Sequence, residues 1–130
     1  MILYNYLNKK ILITGSNGFI SKKLKNYLNT QNYDVFSTTR DKTNNLYFDL
    51  KNEYSKISNL PKFDILIHLS YVKSNSFNNE KKYNVEGTKN IFSLAKKFNA
   101  KIIHISSQSA SINSYSNYGK IKYKIEKIAS

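Results

Sequence analysis

Cysteine is absent from the 130 residues. No disulfide and no cysteine-ligated metal can therefore hold this chain together, and the usage suits a reducing, cytoplasmic compartment. Proline occurs once, as Pro61, and no stretch reads as a linker, a repeat or a low-complexity tract. No apolar run approaches the ~18 residues that a membrane helix needs. The opening "MILYNYLNKK" is too short and too polar for a signal-peptide core. Acidic residues number 8 against 21 lysines and arginines, for a net charge of +13, and Arg40 is the one arginine among those 21. Base-edge readout leans on arginine, and the lysines are strewn from Lys9 to Lys127 rather than clustered. The chain is also crowded with Asn, Ile, Tyr and Phe, residues of AT-rich codons, so the charge reads as compositional bias. No specific nucleic acid and no membrane are expected as partners.

What is present is a regular alternation. The length fits one domain, 1–130, and the 40% hydrophobic content supports a core. Short apolar runs at "KKILITG", "YDVFSTTR", "NLYFDL", "FDILIHLS" and "KIIHISS" read as five strands. Between and after them, "GFISKKLKNYLNT", "EKKYNVEGTKNIFSLAKKFN" and "YGKIKYKIEKIA" place apolar residues at helical spacing. Strands alternating with helices predict an α/β fold, a Rossmann-type doubly wound parallel sheet of about five strands with helices on both faces. Ligands of such sheets sit beyond the carboxyl ends of the strands, where the strand order reverses. That draws attention to Thr14 to Gly18, Thr38 to Arg40, Asp49, Ser70 to Tyr71, and Ser106 to Ser109.

Glycine is scarce, with four in the chain, yet two stand three residues apart in "ILITGSNGFISKKL". Gly15 can make the tight turn out of the strand. Gly18, lacking a side chain, would let a diphosphate reach the amides and the positive dipole end of the following helix. Ser21 occupies the third small position of a dinucleotide fingerprint. At the end of the second strand, where an acidic residue would hold the ribose of NAD, the chain has Thr39 and Arg40. A guanidinium grips a 2′-phosphate that a carboxylate would repel, which favours NADP slightly over NAD. His68 and His104 lie within apolar strands and read as core residues; no metal ligand set is evident.

Near the chain end, Tyr118 and Lys122 are four residues apart and share one helix face. A phenol is a poor base at neutral pH, but a neighbouring ammonium helps it exchange a proton with a substrate hydroxyl or carbonyl. Ser106, Ser107 and Ser109 all follow the fifth strand, and any of them could orient the same oxygen.

Taken together, "ITGSNGFI", "FDL" at 48–50, "FDILIHLS", "YNVEGTKNI", "IIHISS" and "YGKIKYKIE" resemble the extended short-chain dehydrogenase/reductase superfamily, in particular the NAD(P)-dependent epimerase/dehydratase family of nucleotide-sugar enzymes. The resemblance implies that Gly15, Asn17, Gly18, Phe19 and Ile20 line the diphosphate, that Asp49 and Leu50 meet the adenine, and that Leu69 and Ser70 border the nicotinamide ribose. It implies that Asn84 lies near the active site, that Ser107 orients the substrate, that Tyr118 is the acid/base, and that Lys122 is its partner and a ribose ligand. Family members continue for well over a hundred further residues, so the C-terminal substrate lobe is expected to be missing. The fifth strand would then be an open edge, and Ile121, Ile125 and Ile128 of the last helix would want partners. Self-association or a complementary C-terminal fragment is expected to supply them. The implied function is an NAD(P)-dependent epimerase, dehydratase or reductase acting on a nucleotide-sugar-like molecule. The alternative is a dinucleotide-binding module, or a truncated gene product, without turnover.

Overall fold

The computed structural model describes residues 9–15, 18–51, 57 and 59–129. In chain order the elements are β1 (Lys10–Thr14), α1 (Phe19–Thr30), β2 (Asp34–Ser37), β3 (Ile65–His68), α2 (Phe77–Lys97), β4 (Lys101–His104) and α3 (Asn117–Ala129). The strands form one sheet in the order β2-β1-β3-β4. Every pairing is parallel, with Ile11 opposite both Val35 and Ile65, and Ile67 opposite Ile103. The chain leaves β1 for β2 on one side and returns to β3 on the other, so the strand order reverses between β1 and β3. Crevices open at such a reversal.

Side-chain alternation along β1 explains the two layers. Ile11 and Ile13, with Ile67 of β3, face Leu24 and Leu28 of α1. Leu12 and Leu66 point the other way, into a larger cluster with Ile91, Phe92, Leu94 and Ala95 of α2. Strands buried on both faces must be apolar at successive positions, and these are. Ser76 caps α2, its hydroxyl accepting from the Asn79 amide at 3.3 Å. Asn32 and Asn99 take positive φ, 64° and 56°, just beyond α1 and α2. Asparagine tolerates this left-handed conformation at a helix end, which is how a chain so poor in glycine stops its helices.

Two expectations are corrected. Among the described residues the sheet has four strands rather than five. "NLYFDL" makes a single bridge, Thr39 with Tyr47, and otherwise turns. The side chains of Asp41 and Asn44 accept from the amides of Thr43 and Leu46, competing with a ladder, while Phe48 and Leu50 drop into the core. Nor does α3 lack partners: Ile121 and Ile125 are buried against Val85 of α2, with Ile128 packed beside them. The expected edge is present, since β4 ends the sheet. On the α1 side of that strand Ile103 is 45% exposed, and Ile105 just beyond it 41%.

Phe63 is fully buried, with its ring edge-on to Phe98 at 5.2 Å. Phe63→Ala should cost about 3–5 kcal/mol, seen as a lower urea midpoint at unchanged slope.

Candidate functional site

The ends of β1 and β3 are joined by one side chain. The Thr14 hydroxyl accepts from the Leu69 amide at 3.1 Å and the Ser70 amide at 3.3 Å. Its own proton therefore goes to Nδ1 of His68, 2.7 Å away. His68 is then the Nε2–H tautomer, donating to the Thr88 hydroxyl of α2 at 2.9 Å. Burial above all, then the neighbouring His104 and Lys122, holds His68 at a pKa of about 3. It is a neutral core histidine.

Immediately after Thr14, Gly15 takes φ +88°, and a Cβ there would lie 3.1 Å from the backbone of Leu69 and Ser70. Only glycine fits both the conformation and the approach. Ser21, buried in α1, donates its hydroxyl to the Gly15 carbonyl, with the Gly18 carbonyl at 3.0 Å. The serine at the third fingerprint position thus ties the turn to the helix. Gly18 is different. Among the described residues beyond its chain neighbours, a Cβ there would meet nothing closer than 3.5 Å, so no contact with them requires glycine at this position. Gly18 is also the N-cap of α1 and gives it no side-chain cap, and the first turn has no acidic residue. Free amides and a helix dipole are left facing outward.

What they face is a cleft of about 270 Å³ at the switch point. Gly15, Gly18, Thr39, Arg40, Asp49, Leu50, Leu69 and Ser70, all expected from the sequence, line it, joined by Thr38, Phe48, Tyr71 and Val72. Phe19 and Ile20 are exposed at the head of α1, outside the lining. Asn17 lies outside the described residues. Asp41 does not neutralise Arg40: its carboxylate turns into its own loop, accepting from the Thr43 hydroxyl at 2.7 Å and amide at 3.0 Å, which holds it below the usual carboxylate range. Asn84 is fully buried, with its amide group committed to the backbone of Val72 and to the Glu80 carbonyl. It holds the loop after β3 and does not reach the cleft.

Tyr118 and Lys122 come together at the start of α3. The Lys122 ammonium is 5.6 Å from the centre of the Tyr118 ring and donates to the Ile105 carbonyl at 3.1 Å. Its side chain is buried, and that burial lowers its pKa. Gly119 lets α3 come this close to the preceding loop, since a Cβ would fall 2.4 Å from the Ser109 carbonyl oxygen. The Ser107 hydroxyl is 2.9 Å from that of Ser109. Ser106 donates to Glu126 of α3. The cleft-lining tyrosine that the sequence reading left without a role is Tyr71. Its signal was position alone, directly after the third strand of the sheet.

A four-stranded parallel sheet, a glycine turn into an uncapped helix and a cleft at the strand reversal define a Rossmann-type fold. The chain belongs to the NAD dependent epimerase/dehydratase family, whose model matches residues 11–128. No curated protein matches it. Among solved structures, the dTDP-4-dehydrorhamnose reductase of Bacillus anthracis in complex with NADP aligns with 95% of this chain at 21% identity and a TM-score of 0.77, covering 49% of that protein. The ADP-L-glycero-D-manno-heptose-6-epimerase of Helicobacter pylori aligns with 93% at 20% identity and 0.76, covering 50% of its length. A short-chain dehydrogenase/reductase superfamily protein of Agrobacterium tumefaciens with bound NAD aligns with 92% at 19% and 0.77, covering 43%. This chain thus spans about half the length of these structures. Among the described residues no helix is long and apolar enough to cross a membrane.

Beside His68, His104 is half-buried with both ring nitrogens unpartnered among the described residues, and burial holds its pKa at about 4. Both histidines titrate below the ordinary 6.5, so the fold prefers their neutral forms. That stability is complete above about pH 6.5 and is lost as pH falls toward 4 and then 3. Urea midpoints should drop steadily between pH 6.5 and 5. His104→Leu should remove part of that slope, and a flat profile in the wild type would contradict the assignment.

Proposed function

We propose that this chain binds NADP or NAD in the switch-point cleft, with NADP favoured, and forms the cofactor-holding half of a nucleotide-sugar epimerase, dehydratase or reductase. The observation that carries the reading is Gly18: a glycine that no described residue crowds, at the head of an uncapped helix, in a cleft that Arg40 also lines. That vacancy suits a diphosphate on the helix amides. Arg40, with no ion-pair partner among the described residues, suits a 2′-phosphate. Asp49 and Leu50 would border the adenine, and Leu69 and Ser70 the second ribose. The family resemblance and the NADP- and NAD-bound neighbours support the same cofactor class.

When bound, the nicotinamide supplies hydride acceptance and return. Tyr118 would move a proton between its phenol oxygen and a substrate oxygen, Lys122 would keep a positive charge beside that ring, and Ser107 would orient the substrate. Ser107 pairs its hydroxyl with that of Ser109. That pairing favours a second reading, a dinucleotide-holding module without turnover. Remote substrate contacts supply much of catalytic orientation, and we propose that a complementary C-terminal segment, docking near the open Ile103 and Ile105, brings them. A turnover assay on a nucleotide sugar, with the chain alone and then with such a segment, separates the two readings.

Calorimetry tests the cofactor. Gly18→Val should keep the circular-dichroism spectrum and weaken NADP at least tenfold; equal affinities would sink the diphosphate assignment. Arg40→Ala should weaken NADP by about tenfold, as expected for loss of a charged hydrogen bond, and leave NAD within twofold. The contrast should persist at raised salt, where diffuse lysine attraction is screened.

A further inference from the structure

Tyr71 leaves β3 at the cleft wall and lies against Tyr118, ring centres 4.8 Å apart at 66°. Edge-to-face contacts of this kind have a preferred geometry. The Lys122 ammonium is 5.6 Å from the centre of each ring, so the two aromatic rings share one cation. The far end of Tyr71 is anchored. Its hydroxyl donates to the Glu80 carboxylate at 2.7 Å, and the other carboxylate oxygen accepts from the Ser74 amide at 2.8 Å. Glu80 itself is buried in the first turn of α2. One turn on, Asn84 grips Val72 through both its amide and its carbonyl. The segment from Tyr71 to Ser74 is therefore fastened to α2 at four points. Hydrogen bonds to a carboxylate are the stronger kind.

Tyr118 has no such anchor. Its hydroxyl makes no hydrogen bond with any described residue, and the residue is 37% exposed. Its ring packs edge-to-face on Tyr71 and lies beside the Lys122 ammonium. Tyr71 is not a competing acid/base, because burial and then Glu80 hold its phenol well above the usual range and keep it protonated.

We infer that Tyr71, tethered through its hydroxyl to Glu80, is a positioning residue that sets the orientation of the Tyr118 ring beside Lys122. The inference rests on the reading of Tyr118 as the acid/base. It makes α2 the reference frame for a group carried on α3. Without the tether the Tyr71 ring would swing toward the cleft, and Tyr118 would lose its only aromatic neighbour among the described residues.

The test uses the free full chain labelled with ring-¹³C tyrosine, with the Tyr118 signal assigned by its loss in Tyr118→Phe. In the wild type that signal should show a nuclear Overhauser contact to the Tyr71 ring. It should also stand apart from that of the fully exposed Tyr115. Tyr71→Phe keeps the ring and cuts the tether; Glu80→Gln keeps the shape and removes the charge. In each, the Tyr118 signal should move at least halfway to the Tyr115 position and the contact should lose at least half its intensity. The Ile121 and Ile125 methyl signals, which report the α2–α3 packing, should stay in place. Should Glu80→Gln fail to fold, Tyr71→Phe, which loses a single oxygen, decides alone. An unmoved Tyr118 signal and contact in Tyr71→Phe overturn the inference, as does a wild type without the contact. No cofactor is present in this measurement. A chain that fails to bind NADP and NAD would refute the cofactor reading and leave this result standing.

Discussion

The hydroxyl of Thr14 is the point on which the rest of the structure depends. It accepts from two backbone amides after β3 and donates to His68 within β3. The ends of two parallel strands are thereby held together just past the last ladder pair, Thr14 with His68. A hydroxyl there gives the Ser70 amide an acceptor and the Leu69 amide a second one beside the Thr14 carbonyl at 3.3 Å. Because the Nε2–H of His68 donates to the Thr88 hydroxyl, the same chain of bonds docks α2 on the sheet. Charging His68 would break it, and burial prevents that.

From this knot the cleft follows. Gly15 departs from Thr14 with a positive φ and presses its backbone on Leu69 and Ser70. Ser21 ties that turn to α1, and the helix starts, without a side-chain cap, at Gly18 in the cleft lining. On the far wall, Glu80 and Asn84 fix the segment after β3 to α2. Ile121 and Ile125 seat α3 on α2, which delivers Tyr118 and Lys122 to the same wall. One wall is set by backbone geometry at a glycine, the other by two buried polar side chains of a helix.

The order of elements was legible because the period of the apolar residues changes between strand and helix. The glycine turn was legible because few other residues survive a positive φ beside a neighbouring backbone. The third expected strand misled for a local reason. "NLYFDL" has the composition of a strand, but Asp41 and Asn44 cap turns ahead of it, and Phe48 and Leu50 are more deeply buried than an edge ladder would leave them. Tyr118 and Lys122 could be singled out by type and spacing, and Ser107, beside Ser106 and Ser109, only by the family resemblance. That Ser107 pairs with Ser109 could not, because loop hydroxyls have many partners within reach.

The sequence by itself determined the class of fold, the helix and strand order, and the turn that opens the cleft. These depend on local periodicity and on backbone freedom at single residues. Only the tertiary structure decided that Asn84 holds a loop and that Tyr71 stands between Glu80 and Tyr118. Each of those is a contact between elements, and a polar side chain's partner depends on which elements the packed core brings within hydrogen-bond distance.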